Sequence, residues 1–157
     1  MESILCIPLG IIVERRRAIT HSWRASGVLV GPTRMQAGRP LWRDGDAGYY
    51  FAGTGVLSLY PTGVATYRAN LYQPVPRLYV VLAPQEHDSS PPAVHLLTAA
   101  LPEAEPYAVN GGPIQVDALP MPKQLLQLVA AYIKEHVPPG ARPRGDAPPL
   151  GRTEGQR

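Results

Sequence analysis

The chain predicts an α+β fold: a mainly antiparallel sheet with one short inserted helix and one C-terminal helix packed on it. Three observations carry that expectation. β-branched and aliphatic runs separated by Gly, Pro and Asp turn residues fill the first two thirds, whereas only one long stretch, near the end, shows a helical apolar stripe. Strands therefore follow one another instead of alternating with helices, which argues against a βαβ sheet. The 157 residues, 45% of them apolar, suit one domain, and their 15 glycines and 19 prolines suit a turn-rich one.

Taken in order, Ile4 to Arg15 reads as a long, mostly buried first strand, with an irregularity or edge position expected at Pro8 and Gly10. A polar turn at Thr20, His21 and Ser22 leads to a second strand, Trp23 to Val30, that stops at Gly31-Pro32. Thr33 to Arg43 has no period and reads as a loop. Asp44-Gly45-Asp46-Ala47-Gly48 has the chemistry of a hairpin turn. Tyr49 to Tyr60 alternates as a strand, placing Phe51, Gly53, Gly55, Leu57 and Leu59 on one face. After Pro61-Thr62-Gly63, Thr62 can cap a short helix with Val64, Tyr67, Arg68 and Leu71 on one side, ended by Pro74 and Pro76.

Leu78 to Leu82 is an unbroken β-prone run and reads as a core strand. Val94 to Leu101 reads as a further strand, Pro102 to Gly112 as a loop, and Ile114 to Val116 as a short strand. Pro120-Met121-Pro122 opens the final helix, whose stripe comprises Leu125, Leu126, Val129, Tyr132, Ile133 and Val137. Pro138-Pro139-Gly140 stops it. Residues 1–137 are thus expected to form a single globular α+β domain. Residues 138–157, with Leu150 as their one large apolar side chain, are expected to be a flexible Pro/Gly/Arg-rich tail.

The net charge of +3 says little about a partner, because Arg142, Arg144, Arg152 and Arg157 outweigh Asp146 and Glu154 in that tail and leave the rest nearly neutral. A nucleic-acid binder presents a strongly basic face, so nucleic acid is not the partner expected. A lone Cys6 excludes an intramolecular disulfide and fits a reducing compartment. The apolar N-terminus lacks a positive flank and a cleavage site, and no stretch approaches the length of a membrane span. A cytoplasmic protein without membrane contact is expected.

No catalytic constellation stands out. His21, His87, His95 and His136 are scattered without ligand spacing, so no metal is expected. Cys6, inside the first apolar run, reads as a core thiol. Asp44 and Asp46 lack the later ligands of a calcium loop, and Gly53-Thr54-Gly55 lacks the context of a phosphate cradle, so no cofactor is expected. The densest charge cluster is Glu14-Arg15-Arg16-Arg17. Strand alternation sends Arg15 and Arg17 to one face and Glu14 and Arg16 to the other, where they either bind a phosphate or an acidic partner face or form a solvated strand end that discourages aggregation.

Several stretches in sequence order resemble a proteobacterial family catalogued as domain of unknown function 3305. They are Pro8 to Arg16, Trp23-Arg24 with Gly27-Val28-Leu29, Tyr50 to Leu59, Thr66-Tyr67-Arg68 to Asn70-Leu71, Leu78 to Leu82, and Pro120-Met121-Pro122. This chain departs from the pattern at Ala83, where an arginine is usual, and in its Pro/Gly-rich end.

Members of that family tend to be encoded beside formate dehydrogenase genes. The resemblance therefore implies an accessory protein that assists assembly or maturation of a molybdenum-dependent formate dehydrogenase through contact with it or its assembly factors. Some members carry a label for molybdenum-cofactor guanylylation. That chemistry asks for a first strand opening into a Gly-rich loop, whereas here the strand runs into Glu14-Arg15-Arg16-Arg17. The expected binding residues are Glu14, Arg15, Arg16, Arg17, Trp23, Arg24, Tyr67, Arg68 and Asn70. The alternative is an enzyme that handles a nucleotide or molybdopterin cofactor around Arg15, Arg16, Trp23 and Arg68.

Overall fold

A computed structural model describes residues 3–16, 23–87, 89–110 and 112–137. Arg17, the turn expected at Thr20 to Ser22 and the tail expected over 138–157 lie outside them. The α+β class stands, with two antiparallel sheets in place of one. The first sheet has the order β2-β1-β4-β3, built from β1 (Leu5–Arg16), β2 (Trp23–Val30), β3 (Pro40–Asp44) and β4 (Ala47–Leu59). The second has the order β6-β5-β7, built from β5 (Arg77–Ala83), β6 (Ala93–Thr98) and β7 (Gln115–Pro120).

The sheets face each other across the main core. Ile7, Leu9, Ile11 and Val13 of β1 meet Leu78, Val80 and Leu82 of β5 there. Along one side β4 touches β6 so closely that a Cβ on Gly55 would lie 2.8 Å from Leu97 Cδ1. Along the other, side chains of β7 fasten β2. Helices α1 (Val64–Leu71) and α3 (Lys123–His136) add Val64, Tyr67, Leu125, Val129, Tyr132 and Ile133 to the same core.

β1 is central in its sheet, not at an edge, and its irregularities fall at Ile11 to Val13, not at Pro8. Pro8 is tolerated because its carbonyl accepts from Gly31 N–H at the end of β2. Backbone N and C=O of one strand residue point the same way, so the missing N–H removes no bond to β4. The bulge in β4 sits at Gly53, whose φ of 138° is open to glycine and strained for other residues. It reverses the expected faces. Ala52 joins Leu57 and Leu59 in the core, while Phe51 is buried on the opposite side, against Gly10 and the 31–39 loop. Cys6 follows the same alternation and is exposed, so the expectation of a core thiol is corrected.

Two further elements replace expected loops. β3 forms because the turn at Gly45-Asp46 returns the chain into register, with Asp44 opposite Ala47. The prolines of 102–112 do not prevent α2 (Leu101–Val109). Pro102 occupies the first turn, where its missing N–H is not needed, and Thr98 Oγ1 takes the Ala100 N–H at 2.9 Å. Ala104 then buries against Tyr79 and Val81 on the outer side of the second sheet, and that packing overrides Pro106.

Candidate functional site

The hairpin register places two rows of side chains across the first sheet where β1 ends. On the outer face the row reads Arg24, Glu14, Tyr49 and Trp42, one residue from each strand. Glu14 is buried. Arg16 Nε lies 2.6 Å from its Oε2 and Arg24 Nε lies 3.6 Å from its Oε1. The Arg16 N–H is not aligned on Oε2, which accepts no hydrogen bond among the described residues. The guanidinium side chains stay in solvent, 45% exposed for Arg16 and 64% for Arg24 against 6% for Glu14. Trp42 stacks on Tyr49 with centroids 4.9 Å apart and planes 17° off parallel.

The inner face carries Trp23, Arg15, Gly48 and Arg43 in the next row, with Tyr50 two residues on from Gly48. Arg15 lies over the Trp23 ring, 5.3 Å from its centroid, and Trp23 meets Tyr50 edge-on at 5.3 Å. Both rings pack against the main core. β7 holds this end in place. Gln115 Nε2 donates to the Trp23 carbonyl at 2.9 Å and to Asp117 Oδ2 at 2.9 Å. Asp117 Oδ2 also accepts the Ala25 N–H at 2.7 Å. Two clefts flank the joint: one of about 340 Å3 beside Glu14, Arg24 and Asp117, and one of about 140 Å3 between Trp23, Gln115 and His87.

The structure thus gathers Glu14, Arg15, Arg16, Trp23 and Arg24 at one end and separates them from Tyr67, Arg68 and Asn70. These three belong to α1, which follows the opposite end of β4, a strand of 13 residues and about 40 Å in length. Tyr67 is buried, and its hydroxyl accepts the Tyr60 N–H at 3.0 Å. Burial pushes its pKa above the usual 10.0, against the opposing effect of that hydrogen bond. Asn70 is also buried. It donates to the carbonyls of Arg77 and Ala99 at 2.8 and 2.9 Å and accepts from Arg77 N–H and Gln73 Nε2 at 2.9 and 2.7 Å.

Sequence reasoning missed Arg43, Tyr50, Gln115 and Asp117 as members of this end. The signals were present: a two-residue turn at Gly45-Asp46 sets Arg43 opposite Gly48, and a strand from Gln115 puts Asp117 on the same side. Among the described residues no group of three His, Cys, Asp or Glu side chains could hold a metal ion. No helix of the described residues is long and apolar enough to cross a membrane.

No curated protein and no solved structure matches this chain. A family model does match residues 8–144, a span that takes in both sheets, the arginine end and α3. The chain belongs to that family, described as Protein of unknown function (DUF3305).

Proposed function

We propose that the protein is a non-catalytic binding module that holds an acidic segment of a partner protein with the arginines at the end of β1 and the start of β2. The partner we propose, following the family resemblance, is a molybdenum-dependent formate dehydrogenase or one of its assembly factors. The observation that carries the reading is the gathering of Arg15, Arg16 and Arg24 at one end, each held by a specific contact with Trp23 or Glu14. A guanidinium fork matches a carboxylate with two parallel hydrogen bonds, so positioned arginines suit an acidic protein segment. The interspersed Glu14 and Asp117 repel a continuous phosphate backbone, which argues against nucleic acid. A cytoplasmic location goes with this reading, because Cys6 is free and exposed, a state that a reducing compartment preserves.

The test is native capture with the full chain. A formate dehydrogenase subunit or assembly factor is expected to co-purify, and Arg15→Gln combined with Arg24→Gln, which leaves Arg16 to neutralise the buried Glu14, is expected to abolish it while the melting temperature holds. Capture that recovers no such protein would reject the partner. The enzyme alternative needs Arg68 beside Arg15, and the length of β4 lies between them. No thermal shift is therefore expected with millimolar GTP, and a rise of several degrees would overturn the non-catalytic reading.

A further inference from the structure

We propose that Arg15, Arg43 and Tyr50 form a subsite on the inner face for the carboxylates of an extended acidic peptide. This rests on the binding function proposed above and names the chemistry of what is bound. The two faces of the arginine end differ in charge compensation. On the outer face Arg16 and Arg24 share Glu14. On the inner face, among the described residues, neither Arg15 nor Arg43 has a carboxylate within ion-pair distance.

Their positions are nevertheless built. Arg15 is held over the Trp23 ring by a cation–π contact, which positions the guanidinium without using its N–H donors. Gly48 leaves room over the middle strand, and two polar atoms enter it. A Cβ at that position would stand 3.4 Å from Arg43 Nη1 and 3.4 Å from Tyr50 Oη, so both atoms converge above one backbone site. A phenolic O–H beside a guanidinium is a second donor for the same oxyanion.

Spacing selects the ligand class. Arg15 and Arg43 stand on the strands either side of β4, two strand spacings or about 10 Å apart. The Arg15 guanidinium leans toward β2, onto Trp23, and that of Arg43 leans over β4. Both lean in the same direction across the sheet, so they stay about two strand spacings apart, too far for any single small anion to meet both. Two acidic side chains projecting from one face of an extended segment, with Cα atoms about 7 Å apart, reach both.

The probe is a fluorescein-labelled Glu-Ser-Glu-Ser-Glu peptide, followed by anisotropy on the full chain, with the Gln-Ser-Gln-Ser-Gln peptide as its neutral counterpart. The glutamate peptide is expected to bind and the glutamine peptide not. Arg15→Gln or Arg43→Gln is expected to weaken binding at least about fivefold, as the loss of one charge-assisted contact does. Tyr50→Phe, which keeps the ring against Trp23 and removes only the hydroxyl, is expected to weaken it about two- to threefold. Arg34→Gln, an exposed loop arginine outside the site, controls for net charge. If Arg43→Gln and Tyr50→Phe are silent while Arg16→Gln or Arg24→Gln abolishes binding, the inner-face subsite falls and the binding module stands. Failure of the glutamate peptide to bind a chain that still captures its protein partner overturns the subsite alone. Loss of both overturns both, and competition by GTP dependent on Arg43 would replace the peptide with a nucleotide.

Discussion

The two ends of β4 treat their polar side chains in opposite ways. At the helical end, Asn70 has four hydrogen bonds inside the protein and Tyr67 one from the backbone of the chain leading into its own helix, and both are buried. At the other end, guanidinium groups stand in solvent, positioned by rings and one carboxylate. Polar groups satisfied inside the protein contribute to stability, whereas groups held in place at the surface keep hydrogen-bonding capacity for something else. Substitutions at the helical end should therefore move stability and leave capture alone. Substitutions at the arginine end should do the reverse.

The largest effect is expected from Asn70→Ala. It strands the Arg77 N–H and the carbonyls of Arg77 and Ala99 where α1, the start of β5 and the entry to α2 meet. The expected loss is about 2–4 kcal/mol, read as a fall in the urea midpoint at unchanged slope. Partner capture by the folded fraction should stay within about twofold of the parent. A variant that keeps its midpoint and loses its partner would break the comparison at its structural end.

Tyr67→Phe comes next. It leaves the Tyr60 N–H without its acceptor and keeps the ring against Tyr132, so the expected cost near neutral pH is about 1 kcal/mol. The pH dependence sharpens it. Burial raises the Tyr67 pKa in the folded state above 10.0, so below pH 10 both states hold the proton and the group adds no slope. Above pH 10 the unfolded chain releases a proton that the folded chain retains, and stability falls as pH rises toward the folded pKa. Denaturation series between pH 9 and 11 should show a steeper decline for the parent than for Tyr67→Phe. Parallel curves would remove Tyr67 from the alkaline transition.

How much of this contrast was legible in the sequence follows from the range of the signals. Alternation along β1 is local, and it correctly sent Arg15 to one face and Glu14 and Arg16 to the other. The helix over Val64–Leu71 was legible too, but not the depth of Tyr67 and Asn70, because their partners at Tyr60, Arg77 and Ala99 come from tertiary packing. Phe51 was assigned to the wrong face for a related reason. One glycine with φ of 138° inserts a residue into the ladder and reverses every later side chain, a backbone event that hydrophobic periodicity does not carry. The second sheet was hidden likewise, since its separation from the first is a matter of which edges pair.

Glu14→Gln tests the other end with an effect no larger. The carboxylate is buried, but its two partners are about half to two thirds exposed and return to water when it is neutralised. The expected loss is therefore about 1 kcal/mol, below the several kcal/mol typical when a buried charge is stranded. Binding should move the opposite way. Removing the one negative charge between Arg16 and Arg24 strengthens the local positive field, so capture of an acidic partner should tighten and become more salt-sensitive. Weaker capture at unchanged stability would instead make Glu14 a direct contact.

Arg24→Gln carries the smallest stability effect and the clearest separation of the two ends. At 3.6 Å from Glu14 Oε1 and 64% exposed, Arg24 makes a surface ion pair worth no more than about 0.5 kcal/mol after solvent screening. Arg16, at 2.6 Å, remains to neutralise Glu14, so the variant should melt within a degree or two of the parent. If the arginine end exists for recognition, this nearly silent change should still weaken capture severalfold at low salt, with the deficit shrinking as ionic strength rises. A variant equal to the parent in both melting and capture would reduce the outer face to a solvated strand end that keeps the edge of the sheet from aggregating, and would leave recognition to the inner-face arginines alone.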